Sequence, residues 1–192
     1  MPEQLSLPGL AAAPTDRLFF ALLPEPPAAV QAGEITEALR TPCGLTGKAL
    51  PPRRLHVSLH HVGDFAGLPK EVVARAQEVG EGLRQAGFPI RFDRAGSFRN
   101  RRRAMPLVLR GGSGVIPLIA FQDALGKAMA RHAFRHVPSN HYTPHMTLLY
   151  DTRYVEAREV TPVEWTAKDF VLIHSFIGKS KYETLGRWAL TA

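Results

Sequence analysis

Two periods of apolar spacing alternate along this chain, and each change of period marks an element. Arg17 to Leu23 is a short apolar run, read as a buried strand. Pro26 to Arg40 follows as a helix, with proline tolerated in its first turn. From Pro69 to Ala86, Val72, Ala76, Val79 and Leu83 recur at alternating four- and three-residue steps, which predicts an amphipathic helix closed by Gly87. Pro117 to Ala133 carries a like stripe in Leu118, Phe121, Leu125 and Met129. Between the helices the period shortens. Leu55 to Gly63 (LHVSLHHVG) and Pro144 to Asp151 (PHMTLLYD) are apolar runs flanked by turn formers, and both are expected as strands. Phe88 to Phe98 and Met105 to Arg110 form an antiparallel pair around a basic loop, with Gly111 to Gly114 as a turn. Trp165 to Phe176 and Tyr182 to Leu190 close the chain as strands, and Thr41 to Arg54 is a loop carrying Lys48, Arg53 and Arg54. Helices set among strands in mixed order argue for an α+β fold with antiparallel sheets, not a regular βαβ array. Residues 1–15, rich in Pro and Ala and without periodicity, are expected as a disordered tail ahead of one domain over 16–192.

The two central strands carry the same unit. His56-Val57-Ser58-Leu59 and His145-Met146-Thr147-Leu148 each place a hydroxyl two residues after a histidine, 89 residues apart. Alternation sends His56 and Ser58 to one side of their strand, and His145 and Thr147 to one side of theirs, with Val57, Leu59, Met146 and Leu148 facing a core. An imidazole titrates near neutrality, so one copy can take a proton while the other gives one. Two hydroxyls can hold a non-bridging phosphate oxygen between them. Together they suit in-line attack on a phosphodiester, a scheme that calls for no metal and no cofactor.

Charge adds a direction. The chain has 192 residues with 24 Lys and Arg against 17 Asp and Glu, a net charge of +7 and a pI near 10.0. Such a field favours a polyanionic partner such as RNA. The single cysteine, Cys43, excludes an internal disulfide. No stretch approaches the ~18 apolar residues of a membrane span and no basic run opens the chain, so a cytoplasmic, monomeric protein is expected.

These features bring a family into view. The opening RLFFALLP, the first motif running into Gly63, the second introduced by Pro144, and the closing FVLIHSF and YETLGRWAL resemble the 2H phosphoesterase superfamily, most closely its RNA 2′,3′-cyclic phosphodiesterase or 2′-5′ RNA ligase (LigT-like) branch. The resemblance implies two pseudo-symmetric lobes of antiparallel sheet with outer helices around a central cleft. It implies hydrolysis of a 2′,3′-cyclic phosphate on RNA or a nucleotide to a 2′-phosphomonoester, with 2′-5′ ligation as a side activity. His56 and His145 would be the catalytic pair, and Ser58 and Thr147 the phosphate holders. Two positions depart from the family pattern: Tyr150 stands where many relatives have Arg, and His61-Val62 replaces an aromatic-aliphatic pair. Other substrates of the same chemistry are small cyclic nucleotides, 2′-5′ oligonucleotides and ADP-ribose cyclic phosphate. A reading of another class is an RNA-binding module with vestigial motifs, against which the completeness of both copies speaks.

The remaining candidates are weighed one by one. Arg99, Arg101, Arg102 and Arg103 make a basic loop expected to contact the RNA backbone. His60, by alternation, shares the face of His56 and is expected at the cleft rim in contact with solvent. Tyr142 and Tyr150 flank the second motif and can stack on a base, although alternation turns Tyr150 away from the cleft unless the strand bulges. Tyr182 and Trp188 match family positions and can equally be core aromatics. His132 and His136 are four apart, a zinc-compatible spacing, but core packing or a helix-end cation is the favoured reading. His141 and His174 receive no role. Gln4, Leu5, Ser6 and Leu7, followed by Pro8, resemble the peptides by which bacterial proteins dock on the replication sliding clamp.

Overall fold

A computed structural model describes residues 12–99, 103–134 and 142–191. The clamp-like segment Gln4 to Leu7, and with it nearly all of the expected tail, lies outside the described residues, as do Arg101, Arg102, His136 and His141.

The sheet holds eight strands: β1 (Asp16–Leu22), β2 (Val57–Phe65), β3 (Phe88–Ser97), β4 (Met105–Arg110), β5 (His145–Asp151), β6 (Arg158–Ala167), β7 (Asp169–Phe176) and β8 (Lys181–Ala189). Three α-helices, α1 (Pro26–Arg40), α2 (Lys70–Gly82) and α3 (Ile116–Arg131), and two 3-10 turns, Pro52–Arg54 and Ser113–Val115, complete the described elements. The strand order is β6-β3-β4-β5-β2-β1-β7-β8, and each pairing in it is antiparallel. At the centre, β2 and β5 share a single residue pair, Val57 with Met146. That pair falls one residue after each histidine, so the two halves of the sheet meet where the two copies of the motif meet. The fold is α+β, two four-stranded halves related by a pseudo-two-fold with a motif strand at the inner edge of each.

The helices bury one face of this sheet. α1 packs on β5 and β6, α2 on β7 and β8, and α3 on β2 and β3. Small residues (Ala28, Ala29 and Ala32) let α1 lie close to the strands, and the buried Thr36 hydroxyl donates to the Ala32 carbonyl at 2.7 Å. Leu118, Phe121, Leu125 and Met129 of α3 join Phe20, Phe92, Phe170 and Met146 in one core. Burying an aliphatic or aromatic side chain of that size contributes about 1.5–3 kcal/mol. A smaller cluster of Phe19, Ala21, Val171 and Ile173 lies apart from that core and packs with Tyr182.

Element boundaries differ from the sequence reading, and β2 runs Val57–Phe65, two residues later at each end than the expected Leu55–Gly63. α2 stops at Gly82, not Ala86: two glycines in its last turn weaken it, and Leu83 turns extended while remaining buried. Gly80 itself is required by packing, since a Cβ there would come within 2.4 Å of the Trp188 indole. The expected strand Trp165 to Phe176 is two strands divided at Lys168, the first beginning at Arg158. β6 is an edge strand with one solvated face, which explains both its polar start and its tolerance of Pro162. α3 ends at Arg131, leaving His132 just beyond it.

Candidate active site

Each motif strand carries a bulge at the leucine of its motif. In β2, Ala21 faces Ser58 and Phe20 faces His60, so Leu59 is an extra residue. In β5, Val108 faces Thr147 and Leu107 faces Leu149, so Leu148 is extra. A bulge sets two successive residues to the same side and delays the alternation by one. Leu59 and His60 are accordingly both buried, as are Leu148 and Leu149. Past the bulge, His61 and Tyr150 return to the face of the motif histidines. The two positions are equivalent, one in each half.

This corrects the expectation for His60 and meets the exception named for Tyr150. His60 does not reach the rim: it is 4% exposed, and its Nε2 donates to the Gln122 carbonyl at 2.7 Å. Tyr150 does not turn away, because the bulge re-aims it into the cavity. Simple alternation fails at both places for one cause.

On that face lies a cavity of about 480 Å³. His56, Ser58, His145 and Thr147 line it together with His61 and Tyr150, and among the described residues no carboxylate lines it. His56 Nδ1 is 2.8 Å from the Arg54 carbonyl, and His145 Nδ1 is 2.8 Å from the Thr143 carbonyl. A carbonyl only accepts, so each Nδ1 carries the hydrogen and each neutral ring keeps its lone pair on Nε2. Two equivalent backbone bonds thus fix the same tautomer twice. Burial, the largest influence, pushes both imidazoles below their ordinary pKa. The carbonyl bonds oppose it. His56 is lowered further by His145 and Arg54, and His145 by Arg110.

Aromatic rings hold the histidines in place. His56 sits between Phe19, at 5.3 Å between ring centres, and the edge of Tyr182, at 5.7 Å. Phe98 meets His145 edge-on at 5.0 Å. Of the family-position aromatics, Tyr182 therefore belongs to the site, whereas Trp188 packs in the core against Phe20 and Phe170. Tyr142 does not stand free to stack: its hydroxyl donates to the Ser58 carbonyl at 2.9 Å, tying the approach to β5 onto β2. Burial pushes that phenol up, so it stays a donor.

Cations near the site come from places the motif search passed over. Arg54 lines the cavity with its guanidinium 4.9 Å from the centre of the Tyr182 ring. Arg17 also lines it but is held by Asp64 through two bonds of 2.7 Å. Arg99 and Arg103 are exposed and line no part of the cavity, Arg99 lying over Tyr154 at 4.1 Å. Phe98, the residue before Arg99, lies beside His145. His132 approaches Glu78 at 3.6 Å, and the buried His174 bonds Asp16 at 2.6 Å. Among the described residues, no three His, Cys, Asp or Glu side chains are grouped to hold a metal. Nor is any described helix long and apolar enough to cross a membrane.

One imidazole and one hydroxyl, presented twice beside equivalent strands of one antiparallel sheet, are the groups a paired-histidine phosphoesterase requires. The chain belongs to the 2′-5′ RNA ligase superfamily, the 2H phosphoesterases, whose family model matches residues 24–175. Among solved structures, one described as a phosphoesterase is 26% identical, covers 94% of this chain and 100% of its own, and superposes with a TM-score of 0.71. E. coli LigT in its apo form is also 26% identical with the same coverage of both chains and a TM-score of 0.65. E. coli LigT complexed with 3′-AMP matches at 26% identity over the same shares, with a TM-score of 0.64. Among curated proteins no sequence matches significantly.

Proposed function

We propose that this protein opens the 2′,3′-cyclic phosphate at the end of an RNA or nucleotide, leaving a 2′-phosphomonoester and a 3′-hydroxyl. The observation that carries this reading is the pair of Nδ1–carbonyl bonds, which leave two Nε2 atoms as the reactive positions of one cavity. One Nε2 takes a proton from water as its oxygen bonds to phosphorus. The bond from phosphorus to O3′ breaks, and the other, protonated Nε2 delivers its proton to O3′. Ser58 and Thr147 donate to the non-bridging oxygens and hold the charge that develops there. A ribose hydroxyl in place of water gives 2′-5′ ligation by the same steps. The absence of a carboxylate from the cavity wall favours an anionic substrate, and the complex of E. coli LigT with 3′-AMP supports a ligand of nucleotide size. Arg99, Arg101, Arg102 and Arg103 add positive charge that draws RNA toward the protein.

The test is a comparison of substrates carrying one reactive group. Free 2′,3′-cyclic nucleotide, an oligonucleotide ending in that group, a 2′-5′-linked dinucleotide and an ADP-ribose cyclic phosphate are offered at equal concentration. Fastest turnover of either cyclic-phosphate end supports the reading, and preference for one of the last two replaces it.

The pH dependence follows from the direction of the pKa shifts. The active form needs one neutral and one protonated imidazole, so kcat/KM against pH is a bell bounded by the two apparent pKa values of the pair. Both imidazoles are held below their ordinary value of about 6.5. Raising the pH through neutrality removes the proton the acid must give, so the optimum lies on the acid side of that value. A plateau continuing above about pH 8 would contradict the two-imidazole scheme.

A further inference from the structure

We infer that a second anion-binding groove, running from Arg54 to Lys48, holds the phosphodiester next to the reacting end of an RNA strand. It rests on the hydrolytic reading and deepens it by saying which way the strand leaves the site. A cavity of about 410 Å³ lined by Lys48, Leu50, Pro51, Arg53, Arg54 and Ser180 adjoins the one that holds the histidines. Leu50 and Arg54 belong to both, so the two spaces share a wall. Among the described residues no carboxylate lines the groove.

The charge there is uncommitted. No ion pair among the described residues involves Lys48, Arg53 or Arg54. Arg17, the other cation of the active cavity, is neutralised by Asp64. The Arg54 Nε is buried and has no partner among the described residues. A buried donor without an acceptor is costly, and a phosphate oxygen entering between the two cavities would satisfy it.

The wall is built before any ligand arrives. Leu50 N donates to the Leu148 carbonyl at 2.8 Å, and Ala49 bridges to Leu149, so residues 49–50 run beside β5 past its bulge. Thr46 N and Gly47 N donate to one oxygen of Asp151, at 2.7 and 2.6 Å. Gly47 lies so close to β5 that a Cβ would come within 2.1 Å of the Tyr150 carbonyl oxygen. Pro52 to Arg54 then form a 3-10 turn directly ahead of His56. A pre-set wall spares a flexible strand part of the ordering cost of binding.

The experiment uses Lys48→Ala/Arg53→Ala, two exposed side chains outside the catalytic cavity. Turnover and fluorescence-detected binding are both measured, for a free 2′,3′-cyclic nucleotide and for a tetranucleotide ending in the same group. The wild type should favour the tetranucleotide. The double variant should lose roughly tenfold of that preference, with a shallower salt dependence, while the free nucleotide is handled as before. Arg99→Ala/Arg103→Ala, which removes attracting charge but no groove contact, should slow capture of the tetranucleotide at low salt and keep most of the preference between lengths at high salt. An undiminished preference in the groove variant, or its loss in the loop variant instead, would overturn the inference. Binding decides the matter even without turnover: failure to hydrolyse either substrate would count against the hydrolytic reading and leave the length-dependent binding to be read.

Discussion

Replacing either His56 or His145 by alanine is expected to lower kcat/KM on a cyclic-phosphate end by about 10²–10⁴-fold, the usual contribution of a positioned acid or base. The double variant should be barely slower than either single one. Proton removal and proton delivery act in the same displacement, so once either is lost the other has little left to accelerate. Ground-state binding should be nearly unchanged, because Ser58, Thr147 and the neighbouring cations remain. Steady-state kinetics with a binding titration checks this, and thermal unfolding of each variant confirms that the fold persists. Independent, multiplying losses would show that the histidines do not work as one unit.

Met146→Ala should have the largest effect on the scaffold. Met146 is fully buried and makes the one ladder pair between β2 and β5. Truncating such a side chain costs about 2–5 kcal/mol through lost burial and the cavity left behind. Here the loss lies between the two histidine-bearing strands, so their spacing should loosen as well. Leu118→Ala, in α3 and equally buried, is the comparison: similar destabilisation by urea titration, but activity retained at a temperature where both variants are folded. Equal activity in the two would show that the Val57–Met146 pair does not set the spacing of the site.

Much of this was legible in the residues. The repeated His-x-Ser/Thr-Leu unit named the four side chains that the structure brings to one cavity, and α1 and β4 lie within the limits their patterns set. What escaped was whatever depends on a neighbour. The bulges at Leu59 and Leu148 arise from pairing with β1 and β4, and nothing in LHVSLHHV distinguishes His60 from His61 without that ladder. β6 escaped because an edge strand need bury only one side, so Arg158 to Pro162 shows no apolar run. Arg54 stood two residues before His56 in plain view, but only folding closes Tyr182 against it from the far end of the chain. A charge run such as Arg99 to Arg103 attracts attention, whereas two cations beside a cleft do so only in three dimensions.

The most direct measurement is the fate of an RNA oligonucleotide ending in a 2′,3′-cyclic phosphate, incubated with the wild-type protein in EDTA and followed by ³¹P NMR. The cyclic-phosphate resonance should be replaced by that of a 2′-phosphomonoester at an undiminished rate. A persistent cyclic phosphate, a 3′-phosphomonoester, or turnover only after a divalent metal is restored would contradict a paired-histidine phosphodiesterase acting on this end.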